Sequence, residues 1–393
     1  MPRSLVLLIA AACGLIAANV YYAQPLVGLI APDIGLPAAA ASLIVTLTQL
    51  GYCAGLLLLV PLGDLVENRR LVVTTLATTV LSLAMAAVAR SAPAFLAASL
   101  AIGLSCVVIQ MLVPMAAHLS PEAVRGRVVG NVMSGVLAGI MLARPVASLV
   151  ADGIGWRWLF GGSAGLMLLL GAVLWRGLPQ RRPVAGPRYG ALIASMATLW
   201  RTTPLLRRRA LYQAALFAAF SLYWTAVPLL LTGPRFGFGQ RGVAWFTLAA
   251  VAGAFAAPLA GRMADRGLTQ RATGLALGLV AASFVLGWAG GDGSVALLLA
   301  AGIALDVGVQ INLVVGQRAI YGLGAAVRSR LNGLYMATFF AGGALGSALA
   351  SPAFAHGGWP LVSGIGIGFA SLALLYFLGE AKPAGAAASH SAL

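Results

Sequence analysis

The chain has little charge, and most of what it has is of one sign. Only 9% of its 393 residues are charged, against roughly 25% in a soluble globular domain, so water is not its main solvent. The chain contains nine acidic residues and 25 Lys and Arg residues, which gives a net charge of +16. These positive charges lie between apolar runs and not on one continuous soluble face, which argues against a nucleic-acid-binding domain.

Cysteine and histidine are also scarce, with three of each. Cys13, Cys53 and Cys106 each lie within an apolar run, where cysteine behaves as a small apolar residue, so we predict no disulfide. The sequence contains neither a metal-ligand cluster nor a nucleotide-binding glycine-lysine loop, and we expect no cofactor. An enzyme is not expected either, because so few ionisable groups cannot assemble an activated nucleophile, an acid pair or a metal site.

Long apolar runs take the place of these features. Hydrophobic residues make up 61% of the chain, and they occur in runs of roughly 20, the length that a helix needs to cross a bilayer. The first run follows Arg3 and has no small-residue cleavage site, so it predicts a span and not a signal peptide. The runs predict about twelve spans, at residues 5–30, 40–62, 71–89, 94–116, 128–150, 158–176, 210–231, 243–263, 272–289, 294–316, 331–354 and 360–379.

The basic residues predict the orientation of these spans. With a cytoplasmic amino terminus, 20 of the 25 Lys and Arg residues lie in inner segments, four lie in outer segments, and Arg144 lies within a span. This distribution satisfies the positive-inside rule. We therefore expect both termini to be cytoplasmic.

The sequence repeats itself at an offset of 203 residues. The shift relates Pro25 to Pro228, Arg125 and Arg127 to Arg328 and Arg330, and Trp156 to Trp359. Coincidences of such residue types at one offset indicate a duplication. Because each half holds an even number of spans, the two halves have the same orientation in the membrane.

The duplication divides the chain into three parts. We predict an N-terminal six-helix half at 1–176, a cytoplasmic linker at 177–209, and a C-terminal six-helix half with a short cytoplasmic tail at 210–393. Within the linker, residues 189–200 are mildly amphipathic. This stretch either lies along the inner membrane surface, near anionic lipid, or is a plain solvated segment.

Local motifs resemble those of the major facilitator superfamily, and the resemblance covers nearly the whole chain. Residues 261–267 (GRMADRG) are similar to the G-x-x-x-D-R-x-G-R-R signature, and residues 61–70 (PLGDLVENRR) keep its aspartate and arginine pair. The glycine-rich fifth span resembles that of the antiporter branch, and residues 19–25 (NVYYAQP) resemble bacterial efflux members. The resemblance implies an all-α integral membrane fold, with twelve transmembrane helices in two parallel six-helix repeats.

The resemblance also implies a gate on the cytoplasmic side, where an acidic loop of one half meets a helix amino terminus of the other. Carboxylates are stabilised there by the helix dipole and by guanidinium groups. Asp64 would face Arg328 and Arg330, and Asp265 would face Arg125 and Arg127; the alternative is that these are only topogenic surface charges. The predicted gate consists of Asp64, Arg69, Arg70, Arg125, Arg127, Asp265, Arg266, Arg328 and Arg330.

Two charged residues within spans are the strongest functional candidates. Asp306 lies near the middle of the tenth span, where its repeat counterpart is Gly103. A carboxylate there is costly to bury and either pairs or holds a proton, so we predict that Asp306 couples transport to protons. Alternatively, it faces a watery cavity or pairs permanently with an arginine. Arg144, the counterpart of Ser347, balances Asp306, binds an anionic substrate, or reaches outward to the interface.

Polar and aromatic residues concentrate in the first and seventh spans, which line the central cavity in the family that the chain resembles. Such a lining suits an amphiphilic ligand, although Tyr and Trp near span ends are often interfacial. The predicted substrate-binding residues are Asn19, Tyr21, Tyr22, Gln24, Gln110, Arg144, Gln213, Phe217, Phe220, Tyr223, Trp224, Gln310 and Asn312.

Together these features predict a secondary transporter that exports a small amphiphilic molecule or drug in a proton-coupled cycle of alternating access. We expect a monomer in a bacterial inner membrane, with the substrate, protons and lipid as its partners and no nucleic acid. Two alternatives stay open. One is a facilitator or exporter of a sugar or nucleoside without proton coupling, and the other is a membrane receptor that does not transport.

Overall fold

The computed structural model describes residues 2–180, 188–256, 263, 266–324 and 327–380. All regular structure in these ranges is helical, and they contain no strand. Ten of their helices are long and apolar enough to cross a membrane. Backbone N–H and C=O groups cannot bond to water in a bilayer, and a helix satisfies them internally.

The N-terminal half forms six spans in chain order. They are Arg3–Asp33, Ala38–Asp64, Asn68–Val88, Ala92–His118, Val124–Gly153 and Trp156–Gly177. The first span is regular over Arg3–Tyr21, tightens to a 3₁₀ turn over Gln24–Leu26, and resumes as Val27–Asp33. Pro25 has no N–H to donate, which accounts for the irregular turn.

The C-terminal half follows a linker helix, Tyr189–Thr202. Its segments are Pro204–Thr232, Gln240–Ala250 with the 3₁₀ turn Val251–Ala256, Thr269–Gly290, Val295–Tyr321 and Arg328–Glu380. The last segment contains two spans, because Gly358 has a φ of 59° and breaks the helix. Gly155, its repeat counterpart, has a φ of 94° and precedes the sixth span in the same way. Only glycine adopts such angles at little cost.

The linker helix packs against protein. Leu192 and Met196 on one of its faces are buried, and Met196 belongs to a cluster with Leu331 and Tyr335 of the eleventh span. The seventh span begins at Pro204, six residues before its predicted start, and includes Arg209, which is buried and donates a hydrogen bond of 2.7 Å to Thr273. That bond offsets part of the cost of burying a guanidinium group and lets the helix extend past the apolar run.

Because successive spans alternate in direction, the linker helix and both ends of the described chain lie on one face of the molecule, here called the terminal face. The other is called the opposite face. Close helix contacts within each half use small residues: Gly139 of the fifth span lies against Gly14 of the first, and its counterpart Gly342 lies against Ala214 of the seventh. A β-carbon at either Gly139 or Gly342 would collide with backbone, so these positions hold paired helices together.

The two halves meet at two seams near the opposite face. At the first seam, between the second and eleventh spans, the amide and hydroxyl of Ser42 bond reciprocally to those of Ser351, at 3.0 and 3.3 Å. The hydroxyls of Thr46 and Ser347 lie 3.1 Å apart one turn deeper. At the second seam, between the fifth and eighth spans, Arg241 forms an ion pair of 3.2 Å with Asp152. Both seams are closed in this structure.

Candidate functional site

Arg144 lies between the two halves and is 5% exposed. Three aromatic rings surround its guanidinium carbon: Trp224 at 4.7 Å, Phe220 at 5.1 Å and Tyr21 at 5.4 Å. Two of these rings come from the seventh span and one from the first. Ring faces attract a cation, and the attraction grows when the cation is removed from water. The aromatic residues therefore stabilise a charge that would be costly in an aliphatic environment.

The guanidinium group has one polar partner and one free donor. Its Nε donates a hydrogen bond of 2.8 Å to Oε1 of Gln24, and Nε2 of Gln24 lies 3.4 Å from the Thr225 hydroxyl. Nη2 of Arg144 is buried and has no hydrogen-bond partner among the described residues. A buried donor without an acceptor is costly. A ligand with a carbonyl, phosphate or carboxylate oxygen would remove that cost.

Asp306 approaches the same site from the tenth span. Its Oδ1 accepts a hydrogen bond of 2.9 Å from the indole N–H of Trp224. Gly253 of the eighth span packs against it so closely that a β-carbon at Gly253 would lie 2.7 Å from Cβ of Asp306. The carboxylate is thus placed by one directed donor and by a neighbour with no side chain.

Trp224 connects the two charged residues. Its ring lies under the guanidinium of Arg144, and its N–H points to the carboxylate of Asp306. The two charges interact electrostatically but form no direct ion pair in the described structure. The indole lies between the two charged groups and contacts both. A change in charge at either residue therefore alters the environment of the same ring.

The other predicted aromatic residues fall into two groups. Phe217 stacks on Phe220 with ring centroids 5.1 Å apart and on Phe339 at 3.7 Å, which extends the aromatic surface beside Arg144 toward the eleventh span. Tyr223 points the other way. Its hydroxyl donates to the Leu298 carbonyl at 2.5 Å, and its ring packs on Trp359, so it lies within the C-terminal half.

Polar residues bring the second, seventh and tenth spans together beneath this aromatic group. The Asn312 amide donates to Oε1 of Gln213 at 2.7 Å, and Nε2 of Gln213 lies 3.4 Å from the Val309 carbonyl. Gln49 of the second span bonds to the Ser221 hydroxyl of the seventh, across the interface between the halves. Oε1 of Gln49 and Oδ1 of Asn312 are buried without a donor in the described part of the chain.

Gln49 was not predicted from the sequence. Its repeat counterpart is Ala252, so the position is a departure between the halves, like Asp306 and Arg144. This difference between Gln49 and Ala252 could have identified the position from the sequence.

A second polar network lies closer to the terminal face. Nε2 of Gln110 lies 3.4 Å from the Tyr52 hydroxyl, and its Oε1 lies 3.5 Å from Nδ2 of Asn332 in the eleventh span. Asn332 in turn accepts from Tyr321 at 2.9 Å and from Gln317 at 3.2 Å. Only Gln110 of this network was predicted. Gln317, Tyr321 and Asn332 lie near span ends, where polar residues are common and carry little signal, whereas Tyr52 lies in the middle of the second span.

Two predicted ligand residues are engaged within the N-terminal half. Asn19 accepts a hydrogen bond of 2.6 Å from Ser163 and donates to the Leu15 carbonyl at 3.0 Å. Tyr22 is buried beside the same Ser163. Gln310 is half-buried in the tenth span. The described contacts of Asn19 and Tyr22 are therefore with residues of their own half.

The predicted gate residues that the structure describes lie at the terminal face. Asp64 lines a small crevice together with Met196 of the linker helix and with Ser329 and Arg330 at the start of the eleventh span. Arg330 donates to the Ser195 hydroxyl of that helix at 2.9 Å. The structure brings Asp64 to the start of the eleventh span, although no ion pair of Asp64 is found in the part of the chain that is described.

The remaining gate residues are dispersed. Arg69 stacks over Trp175 at 4.8 Å, Arg125 donates to the Ala117 carbonyl at 3.1 Å, and Arg328 lies over the Tyr321 ring at 5.7 Å. Arg70, Arg127 and Arg266 are exposed, as are Arg125 and Arg328. Asp265 lies outside the described residues.

Comparison with known proteins gives matches over most of the chain. Residues 7–313 match the model of the Major Facilitator Superfamily. The chain is 40% identical over 378 residues to the uncharacterized transporter YgaY of Escherichia coli O157:H7, covering 96% of this chain and 95% of that one. It is 36% identical over 354 residues to the probable transporter SCO4007 of Streptomyces coelicolor, covering 90% and 82%.

Solved structures support the same fold. A mutant of the nucleoside transporter NupG superposes with a TM-score of 0.77 at 14% identity, over 96% of this chain and all of that one. A D-xylose-proton symporter gives 0.73 at 17% identity, over 96% and 97%. The human organic anion transporter MFSD10 gives 0.70 at 18% identity, over 96% and 100%. The predicted fold, twelve helices in two six-helix repeats, is confirmed.

Proposed function

Because the chain belongs to the Major Facilitator Superfamily, it is a multi-pass membrane transporter and not an enzyme, and we propose that it exports a small amphiphilic molecule in exchange for protons. Asp306 carries the proton, and the substrate binds between the halves beside Arg144. The bacterial relatives support a place in an inner membrane. The excess of arginine at the terminal face supports cytoplasmic termini.

The connection from Asp306 through Trp224 to Arg144 carries this proposal. A carboxylate within a span tends to be protonated or paired, and among the described residues Asp306 has one directed donor, the Trp224 N–H at 2.9 Å. A protonated Asp306 gives up its through-space attraction to Arg144. A substrate whose polar hydrogen or positive group binds the carboxylate takes the place of the proton. Proton and substrate therefore compete for one carboxylate, which is the condition for exchange.

The surroundings of Arg144 support an amphiphilic substrate. The rings of Tyr21, Phe220 and Phe217 provide apolar surface, and the free Nη2 of Arg144 provides a donor for a polar oxygen. Sites of this kind combine apolar area with a few polar groups that fix orientation. The ligand would bridge the halves, because Tyr21 and Arg144 belong to one and Phe220 to the other.

The seams support alternating access. With the first and second seams closed near the opposite face, the site opens toward the terminal face once the network around Asn332 separates. For the site to open toward the opposite face, the Ser42–Ser351 and Asp152–Arg241 contacts must break. Hydroxyl pairs and a partly exposed ion pair are inexpensive to break and remake.

Proton flux in proteoliposomes tests the proposal. Purified protein with an internal pH dye would be challenged with a panel of amphiphilic cations, zwitterions, nucleosides and sugars. We expect substrate-driven proton movement in the wild type, its loss in Asp306→Asn, and its retention in Asp292→Asn. Asp292 provides the control because it is an exposed acid that pairs with Arg235 at 3.0 Å, away from the site.

Each alternative predicts a different result. Substrate flux that ignores the pH gradient in the wild type would replace proton exchange with facilitated diffusion of a polar metabolite. Binding without any flux would favour a receptor. Equal proton coupling in the wild type and Asp306→Asn would contradict the role given to Asp306.

A further inference from the structure

An apolar groove of about 310 Å³ lies on the outer surface of the N-terminal half, away from the interface between the halves. It runs between the third and sixth spans, and its walls include Val73, Leu76, Val80, Met167, Gly171 and Trp175. Nothing in the proposed transport cycle uses it. Its position on the outer side of two spans makes it accessible from the lipid phase.

Small side chains make the groove. Gly171 and Ala172 on the sixth span lie opposite Ala77 on the third. A β-carbon at Gly171 would come no closer than 3.6 Å to Leu76, so the space beside it is open to an atom of ordinary size. Leu168, along the same wall, is 65% exposed. The groove is therefore a slot for a slender apolar chain.

The end of the groove at the terminal face is positively charged. The guanidinium of Arg69 lies 4.8 Å above the Trp175 ring, and Arg176 follows directly. Nε of Arg69 is buried and has no hydrogen-bond partner among the described residues. The nearby Glu67 caps the third span, its carboxylate accepting from the backbone amides of Arg69 and Arg70 at 2.8 and 3.0 Å, and no described hydrogen bond joins it to Nε of Arg69. An oxyanion from outside the chain would satisfy Arg69.

We propose that this groove is a binding site for an anionic phospholipid, with one acyl chain between the third and sixth spans and the phosphate on Arg69 and Arg176. Guanidinium groups bind phosphate with two parallel hydrogen bonds. Trp175 lies where an indole ring commonly sits, at the level of the headgroups. The two arginines favour an anionic over a zwitterionic headgroup, because the net charge of the lipid then balances part of theirs.

Lipid titration of the full-length protein, read by native mass spectrometry, tests the headgroup. Phosphatidylglycerol and phosphatidylcholine with identical acyl chains are compared. We expect the wild type to prefer phosphatidylglycerol, and Arg69→Gln/Arg176→Gln to lose about tenfold in phosphatidylglycerol affinity with phosphatidylcholine little changed. The matched control is Arg188→Gln, an exposed arginine of the same face at the start of the linker helix. An unchanged preference in the double variant, or an equal loss in the control, would overturn the proposal.

Two further variants test the groove itself. Gly171→Leu fills the slot and leaves both arginines in place, so the high-affinity lipid should be lost, whereas Gly171→Ala should retain it because a β-carbon fits there. Phosphatidylglycerol with brominated chains should quench the part of the fluorescence that disappears in Trp175→Phe. Full lipid affinity in Gly171→Leu, or no quenching of Trp175, would show that the lipid does not occupy the groove.

Discussion

The two halves share a scaffold and differ at the charged positions of the candidate site. Arg144 in the fifth span corresponds by the repeat to Ser347, and Asp306 in the tenth span corresponds to Gly103. Ser347 bonds to Thr46 across the first seam, while Arg144 faces the rings of the seventh span. Gly103 packs against the backbone of the second span, while Asp306 receives the Trp224 N–H. Glycines and prolines that the halves share place the helices, and the departures between the halves form the site.

A second pair of counterparts shows the same division at one ring. Tyr21 and Trp224 occupy matching positions in the first and seventh spans, and both rings lie within 5.4 Å of the Arg144 guanidinium. Only Trp224 also bonds to Asp306. The seventh span is also the more deeply buried. In its most apolar stretch 89% of the residues are buried, against 61% in that of the first span. The arrangement is therefore pseudosymmetric in its packing and asymmetric in its polar contacts.

Copying one half onto the other at the charged positions gives the largest expected effect. Asp306→Gly leaves Arg144 buried without a countercharge, and we expect the free energy of unfolding to fall by about 3 kcal/mol. Arg144→Ser should cost a similar amount, and the double variant should cost less than the sum by more than about 1 kcal/mol. Chemical denaturation in detergent measures all four proteins. Strict additivity would mean that the two charges do not depend on each other.

Exchanging the ring counterparts for phenylalanine gives an intermediate effect. Trp224→Phe keeps a ring near Arg144 but removes the donor to Asp306, so we expect a loss of about 1.5 kcal/mol and strongly reduced proton coupling. Tyr21→Phe removes a hydroxyl for which the described residues show no hydrogen bond and should change either quantity little. Denaturation and proteoliposome proton flux provide the two readouts. A larger effect from Tyr21→Phe than from Trp224→Phe would reverse the asymmetry.

Variants at the two seams should have the smallest effects on the free energy of unfolding. Ser351→Ala removes one hydroxyl from the reciprocal Ser42 contact and should cost about 1 kcal/mol at any salt concentration. Asp152→Asn breaks an ion pair whose arginine is 73% exposed, so its cost should be about 0.5 kcal/mol and should vanish at high salt. Denaturation at low and high salt separates the two. A salt-independent loss in Asp152→Asn would mean that the second seam depends on more than this pair.

Much of the fold could be predicted from the sequence because the bilayer limits the options. The length of the apolar runs predicted the spans, and rare residues at one offset predicted the repeat. Asp306 and Arg144 were found as charges where the other half has none. Residues whose roles depend on a partner were harder. Gln49 was not predicted, because its bond to Ser221 of the other half depends on how the halves pack. The bond between the predicted ligand residue Asn19 and Ser163 likewise depends on helix packing.

Composition and spacing alone establish that the chain crosses a membrane many times, that its halves are duplicates, and that two charges lie within its spans. The cost of exposing polar groups to lipid translates these properties directly into helices. Which side chains meet was settled by the packing of those helices. Trp224 contacts both Arg144 and Asp306, and Arg69 lies at the mouth of a groove beside Trp175. Both facts depend on the rotation and depth of packed helices, which no periodicity within one span records.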